Sequence, residues 1–458
     1  MADYQLIIIG GGLSGLAAGI RSARFGRRTL ILEQHSLAGG LNSYYFRHGH
    51  LLETGLHAMT NYAAAADRRA PLNRLFRQLK LSRKRFVTRQ QFGSEIIFPK
   101  SRLSFTNDPS VLAAEVAREF PRARHSFSRL LRKMEEFDPF TPAPRRSART
   151  FLHDELADPL LENMLLLPLM VYGNAEEYDM DLAQFAIMFR ALFLEGFFRP
   201  EQTIREFLTL LVDHYKEFAG ELRLNTQVKK ITRNSDRVTG VCLNSGEVLQ
   251  ADAVLSTVGL PLTAKLSGWP LDVKQYTGRM SFMETISLIP AERSRQLSGG
   301  RTILFYTTDE NWHYMRPDAL IDPFWGVICF PENFQGVDLG KTAQLRVTHA
   351  ADYRRWHRLT ADAYRQAKEK CSRQSRQVVG KIVGNYGQDI VYEDSFTPLT
   401  IERFTGKGEG AVYGSPVKIK DGCTPFENLF IAGTDQGFLG IIGSMLSGVS
   451  IVNRHLLA

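Results

Sequence analysis

Apolar and polar positions follow recognisable periods along this chain. Tyr4 to Ile9 is a short, β-branched apolar run of buried-strand type. An Ala- and Leu-rich stretch to about Phe25 predicts a helix, and Thr29 to Leu32 predicts a second strand. Further on, Val228 and Ile231, then Val238, Val241 and Leu243, then Val248 and Leu249 mark three short strands. Asn-Ser-Asp and Asn-Ser-Gly turns divide them into a meander. The buried run Ala253 to Val258 follows and breaks at Gly259-Leu260-Pro261. The far end supplies a strand, Leu429 to Ala432, then a turn at Gly433 and the uncharged stretch Gly437 to Val452.

Two inserts separate these segments. In the first, Leu182, Phe185, Phe189, Leu192 and Phe193 recur at helical spacing, while Ala186, Met188, Phe197 and Phe198 widen the apolar face. Such a face is either core packing or the lining of an apolar tunnel. The second insert mixes strands at Glu284 to Ile289 and Thr302 to Tyr306 with one amphipathic helix. Tyr353, Trp356, Leu359, Ala363 and Ala367 mark the buried side of that helix.

Length and charge add context. The 458 residues exceed what one core usually organises, so two interleaved domains are expected. Hydrophobic content of 44% and charged content of 23% fit a folded soluble protein. Net charge is +9, and the excess is local. Arg68 to Arg102 holds eleven Lys or Arg and one acid, Glu95; Arg118 to Arg149 holds nine basic and four acidic residues. Few aromatics interleave these clusters, so nucleic acid is the least expected partner; an anionic membrane surface, an acidic partner or simply a solvated face is expected. Cys242, Cys329, Cys371 and Cys423 are isolated, which argues against a thiol redox pair or a metal site. The first apolar run reaches glycines after six residues and has no basic segment before it, so a cytoplasmic protein is expected.

The first strand, helix and second strand carry chemistry. Gly10, Gly12 and Gly15 form G-x-G-x-x-G, and Glu33 closes the second strand 23 residues after Gly10. Gly10 permits the tight turn, Gly12 lets backbone approach a pyrophosphate, and Gly15 lets helix and strand pack closely. The helix start offers free N–H groups and a positive dipole end. A carboxylate at Glu33 accepts ribose hydroxyls, which favours FAD or NAD over a 2′-phosphorylated cofactor. The Gly39-Gly40 loop that follows is not the next helix and strand of a plain NAD dehydrogenase.

Taken together, "IIIGGGLSGLAAG…LILEQ…GG", "VTGVCLNSGEVLQADAVLST" and "ENLFIAGTDQGFLGIIGSMLSG" resemble the FAD-dependent phytoene desaturase and carotenoid isomerase group. "ETGLH" and "GIIGSMLSG" resemble its retinol-saturase branch most. The resemblance implies an α/β fold, with a Rossmann-like FAD-binding domain interleaved with an α+β substrate domain. The first would comprise 1–62, 203–266 and 408–458, the second 63–202 and 267–407. It implies FAD contacts at Gly10, Gly12, Leu13, Ser14 and Gly15 and at Glu33 and Gln34. Gly39, Gly40 and Leu41, Val228, Gly433, Asp435, Gly443 and Ser444 complete that set. Glu33 would hold the adenosine ribose, Val228 the adenine through its backbone, and Asp435 the ribityl or pyrophosphate region. Gly443 and Ser444 would lie at a helix start facing the flavin ring. Relatives often carry a basic residue after the Gly-Gly pair, whereas this chain has Leu41-Asn42.

The function implied is an FAD-dependent oxidoreductase acting on carbon–carbon double bonds of a lipophilic polyene or isoprenoid, by desaturation, saturation or cis–trans isomerisation. The candidate acid–base groups are His57, Glu53 and Glu402, with Tyr172 and Tyr413 nearby. His57 leads because it follows the Gly-Gly loop and belongs to the residue type that changes charge near neutral pH. A bridge to Arg403 is the more ordinary role of Glu402. Two alternatives stand: a flavin amine oxidase, and a non-redox binder of lipidated partners like the Rab escort and GDP-dissociation-inhibitor proteins. Basic surface would suit peripheral contact with the inner membrane face. The stretch Gly437 to Val452 is uncharged over sixteen residues, short of the roughly twenty a spanning helix needs.

Overall fold

The computed structural model describes residues 2–457 apart from 56, 142 and 339. Its first sheet grows around Tyr4–Ile9, flanked in parallel by Thr29–Leu32 and Val248–Ser256. Glu221–Arg223 adds outside Thr29–Leu32, and Leu429–Ile431 pairs in parallel with Val248–Ser256. Tyr4–Ile9 is fully apolar from Leu6 onward because both its faces are covered.

The meander is present, with one difference from the sequence reading. Val248 to Leu249 and the Ala253 run form one strand, Val248–Ser256, not two. Its first half pairs antiparallel with Arg237–Leu243, and its second half joins the parallel sheet. The exposed Gln250 and Asp252 between buried neighbours keep a period of two through the join.

Helix Leu13–Ala23 is buried along almost its whole length. Gly15 is required there: a Cβ would stand 2.0 Å from the Gly10 carbonyl oxygen. The closing helix, Gly440–His455, crosses it at Gly448, where a Cβ would lie 2.1 Å from the Ser14 oxygen. That glycine therefore serves helix packing. Among the described residues no helix is long and apolar enough to cross a membrane.

A second sheet runs in the order Tyr392–Phe396, Ser281–Pro290, Thr342–Ala351, Trp325–Cys329, Ile303–Thr307, Ser94–Ile97, Arg102–Phe105. Alternation sorts its two faces. Ile289, Leu304, Tyr306, Ile328, Leu345 and Val347 pack with Val379 of helix Ala361–Val383. On the other face Phe282, Ile303, Phe305, Val327 and Cys329 meet helices Pro159–Gly173 and Leu182–Phe189.

Phe185, Phe189, Leu192 and Phe193 are at most 1% exposed and pack in that core, so the apolar face of the first insert is packing. The helix ends at Phe189 and continues as a wider turn, Arg190–Leu194. The amphipathic helix of the second insert is two helices, Tyr353–His357 and Ala361–Val383, because the Thr360 side chain caps the second at Ala363 N. Leu72, Leu75, Phe76 and Leu79 pack with Leu6, Leu16 and Ile31, so this stretch of the first insert belongs to the core of the first sheet.

Candidate functional site

The glycine motif makes a cradle from two loops. Gly39 N donates to Gly11 O at 2.9 Å, and Gly12 and Gly39 form a parallel bridge. Gly39 and Gly40 have φ of 119° and 59°, which explains the Gly-Gly pair. A Cβ on Gly12 would meet no atom within 4 Å, so open space faces that residue. Helix Leu13–Ala23 begins without a side-chain cap, and the buried Ser14 Oγ has no hydrogen-bond partner. Bare helix N–H groups, an orphaned hydroxyl and unfilled space fit a pyrophosphate.

Glu33 is buried at the end of its strand. Its Oε2 accepts from Gly11 N at 2.7 Å and its Oε1 from His35 N at 2.9 Å, so the carboxylate is fixed beside the cradle. Gln34 turns its amide to the His35 ring at 3.1 Å. Leu41 lies in the turn Gly40–Asn42, with its carbonyl accepting from the Thr54 hydroxyl at 2.7 Å. Leu13 is buried, and Val228 begins its strand opposite Leu243.

The closing segment differs from expectation at the start of its helix. Gly433 faces Ser14: a Cβ there would find only Ser14 atoms, at 3.9 Å. Asp435, by contrast, is 2% exposed. Its oxygens accept from Leu260 N at 2.5 Å and Ser415 N at 2.8 Å. The carboxylate thus fastens three chain segments, and each of its oxygens keeps a further lone pair. Gly443 and Ser444 are not at the helix start, because the helix begins at Gly440. The uncapped N–H groups are therefore those of the first turn, Gly440 to Ile442, and Gly443 is the first residue that can bond back into the helix.

The acid–base candidates have different partners, although Arg199 bonds both Glu53 and the His57 carbonyl. His57 Nε2 lies 2.9 Å from Glu284 Oε1 and 3.1 Å from Thr348 Oγ1. Arg346 Nε donates to Glu284 Oε1 at 2.6 Å, and the Thr348 hydroxyl donates to Oε2 at 2.8 Å. Burial would push the Glu284 carboxyl up, but the positive charges of Arg346 and His57 outweigh it and hold it at about 2. Glu53 is held in a buried ion pair. It is 1% exposed, with Oε2 accepting from Arg199 at 2.6 Å and Oε1 from Ile204 N at 2.7 Å. It anchors a buried arginine and the start of helix Ile204–Glu217. Glu402 accepts from the Tyr353 hydroxyl at 2.5 Å in place of the expected Arg403 bridge.

Sequence reasoning passed over Glu284, Arg346, Thr348 and Arg199. The available signal was a charge inside an apolar run, as in "SFMETISLIP" and "AQLRVTHAA". Tyr172 adjoins this cluster. Its ring lies between Phe197 at 5.3 Å and Phe305 at 5.4 Å, and its buried hydroxyl has no partner. The Tyr413 hydroxyl donates to the Val171 carbonyl. Between them, these residues place a fixed anion, a histidine and an unpaired hydroxyl at the edge of a large apolar core.

Comparison with known proteins follows this geometry. Residues 13–298 match the family described as flavin containing amine oxidoreductase. The chain is 24% identical over 302 residues to the phytoene dehydrogenase of Streptomyces griseus, covering 58% of this chain and 56% of that protein. It is 42% identical over 53 residues to all-trans-retinol 13,14-reductase of Homo sapiens, covering 12% and 9% of the two chains. The chain therefore aligns with just over half the length of the first relative and under a tenth of the second. An oxidoreductase from Methanosarcina mazei superposes with a TM-score of 0.68 at 15% identity, covering 98% of this chain and 100% of that one, which establishes a shared fold.

Proposed function

The chain belongs to the flavin-containing amine oxidoreductase family and takes FAD as its cofactor, and on that premise we propose that it oxidises, reduces or isomerises carbon–carbon double bonds of a lipophilic polyene or isoprenoid. The observation that carries this reading is the His57–Glu284 pair beside the apolar face of Phe282, Phe305 and Phe197. The names of the relatives support the substrate class.

The Gly10–Gly12 turn, Ser14, Glu33 and the Gly39–Gly40 loop would hold the dinucleotide, and the first turn of Gly440–His455 would offer its N–H groups to the ring. FAD, when bound, supplies hydride transfer. The protein then supplies orientation, dryness and protons. Phe197, Phe305 and Tyr172 exclude water. His57 holds a proton at Nε2 against Glu284, which Arg346 keeps ionised. Tyr172 offers its free hydroxyl to the substrate side.

An amine substrate is the second reading, favoured by the family as a whole. Anaerobic mixing of the FAD-loaded protein with all-trans-retinol, a carotenoid or benzylamine tests both, by bleaching of the flavin bands or by product analysis from the pre-reduced protein. Turnover of the amine alone would overturn the polyene reading. A protein that binds no FAD would overturn both and favour the non-redox binder.

We also propose peripheral contact with the inner membrane face of the cytoplasm. Exposed Val87 and Phe92 beside Lys84 support it. The cluster from Arg118 to Arg149 contributes less, since Arg118, Arg129, Lys133 and Arg145 are ion-paired with glutamates. Loss of binding to anionic liposomes at high salt tests the electrostatic part.

A further inference from the structure

Two lysines converge on Thr434. Lys418 Nζ donates to Thr434 O at 3.0 Å and Tyr413 O at 3.1 Å. Lys407 Nζ donates to Thr434 Oγ1 at 3.2 Å and Val412 O at 3.4 Å. All four acceptors are uncharged oxygens. Both side chains are deeply set, yet neither residue is fully closed off by protein.

Buried ammonium groups are costly unless an anion compensates them. Asp435 is the acid that acts on both lysines, and its oxygens already accept from Leu260 N and Ser415 N. Glu176 acts weakly on Lys418 but is itself paired with Arg145 at 2.5 Å. Two cations thus share one engaged carboxylate, leaving about one unit of positive charge uncompensated. Burial accordingly pulls Lys418 down to about 8 and Lys407 down as well, with Asp435 opposing in each case.

The position of this excess is informative. Thr434 directly follows Gly433, and Gly433 faces the unpaired Ser14 hydroxyl. The uncompensated charge therefore lies one residue from the dinucleotide cradle, on the segment that ends at the uncapped start of helix Gly440–His455.

We propose that Lys407 and Lys418 form a cationic seat behind Thr434 for negative charge on the bound cofactor. This rests on FAD occupying the glycine cradle. The charge has two sources of one chemistry: the diphosphate, present in both redox states, and the charge gained when the ring takes up two electrons.

The test uses Lys407→Met, Lys418→Met and the double variant of the full chain. FAD dissociation constants and the two-electron midpoint potential, reached with dithionite and a reference dye, are the readouts. If the diphosphate is the source, oxidised FAD binds at least ~10-fold more weakly, ADP competes less well, and the potential holds. If reduction is the source, oxidised binding stays within ~2-fold and the midpoint drops about 30 mV for each tenfold loss in preference for the reduced form. Either result supports the seat. A double variant unchanged in both readouts overturns it, as does an equal loss in Lys407→Arg and Lys418→Arg, which keep the charge. Should the Met variants fail to fold, the wild type serves: dissociation constants of oxidised and reduced FAD that are both flat from pH 7 to about 9.5 overturn the proposal. Wild-type protein that binds no FAD at all refutes the premise instead.

Discussion

Arg346 and Glu284 sit on neighbouring antiparallel strands, two positions out of register, with Arg346 Nε 2.6 Å from Glu284 Oε1. Glu284 lies directly opposite Thr348, so all three side chains share one face and converge on His57. Arg346 is fully buried, and Glu284 acts on its charge most strongly, with Glu53 next. Replacing Glu284 with Gln should therefore destabilise the protein by about 3–5 kcal/mol, the usual cost of removing one partner of a buried ion pair. Urea unfolding of the variant measures it. A loss under ~1 kcal/mol would show that other groups suffice to hold the arginine.

His57 faces the same carboxylate but lies outside the sheet core. His57→Asn should leave FAD content intact and slow substrate turnover by about 10²-fold, within the range usual for a general acid or base. Stopped-flow reduction and flavin absorbance measure the two quantities separately. Normal turnover in the variant would remove His57 from the reaction.

The cradle glycines predict opposite phenotypes. Gly15→Ala forces a Cβ to 2.0 Å from the Gly10 oxygen, so the protein should unfold or lose several degrees in Tm. Gly12→Ala meets nothing within 4 Å in the protein alone. Its apoprotein should keep the wild-type Tm while FAD affinity falls at least ~10-fold. A Gly12→Ala protein that binds FAD normally would move the diphosphate elsewhere.

Glu195 gives a pH signature. Burial raises its carboxyl from 4.5 to about 7, against the Asn61 amide, which donates to it at 2.7 Å. The folded state then binds more protons than the unfolded one between these values. Its contribution is full below about 4.5 and is lost as pH rises through about 7. Unfolding free energy should fall over that window in the wild type and fall less in Glu195→Gln. Parallel pH profiles would assign the change to other groups.

Local pattern alone carried much of the fold. The run Tyr4 to Ile9, the three glycines and Glu33 encode a strand, turn, helix and anchor within thirty residues, where spacing is set by backbone geometry. The meander was equally legible, since turn residues and alternation are local. Helix starts were less so: the closing helix begins at Gly440, ahead of the Gly443-Ser444 pair, because glycines in a helix also answer to packing, as Gly448 does against Ser14.

Sequence by itself determined the dinucleotide cradle, because its contacts arise from residues close along the chain. Only the tertiary structure decided the chemistry beside it. Glu284 and Arg346 are 62 residues apart, and Glu53 and Arg199 are 146 apart. No local period records which of these carboxylates is tied to an arginine for stability and which also meets a histidine. The same holds for Asp435: the closing motif marks the residue, but only the fold brings the Leu260 and Ser415 N–H groups to its carboxylate, because a buried anion takes the nearest backbone donors that tertiary packing supplies.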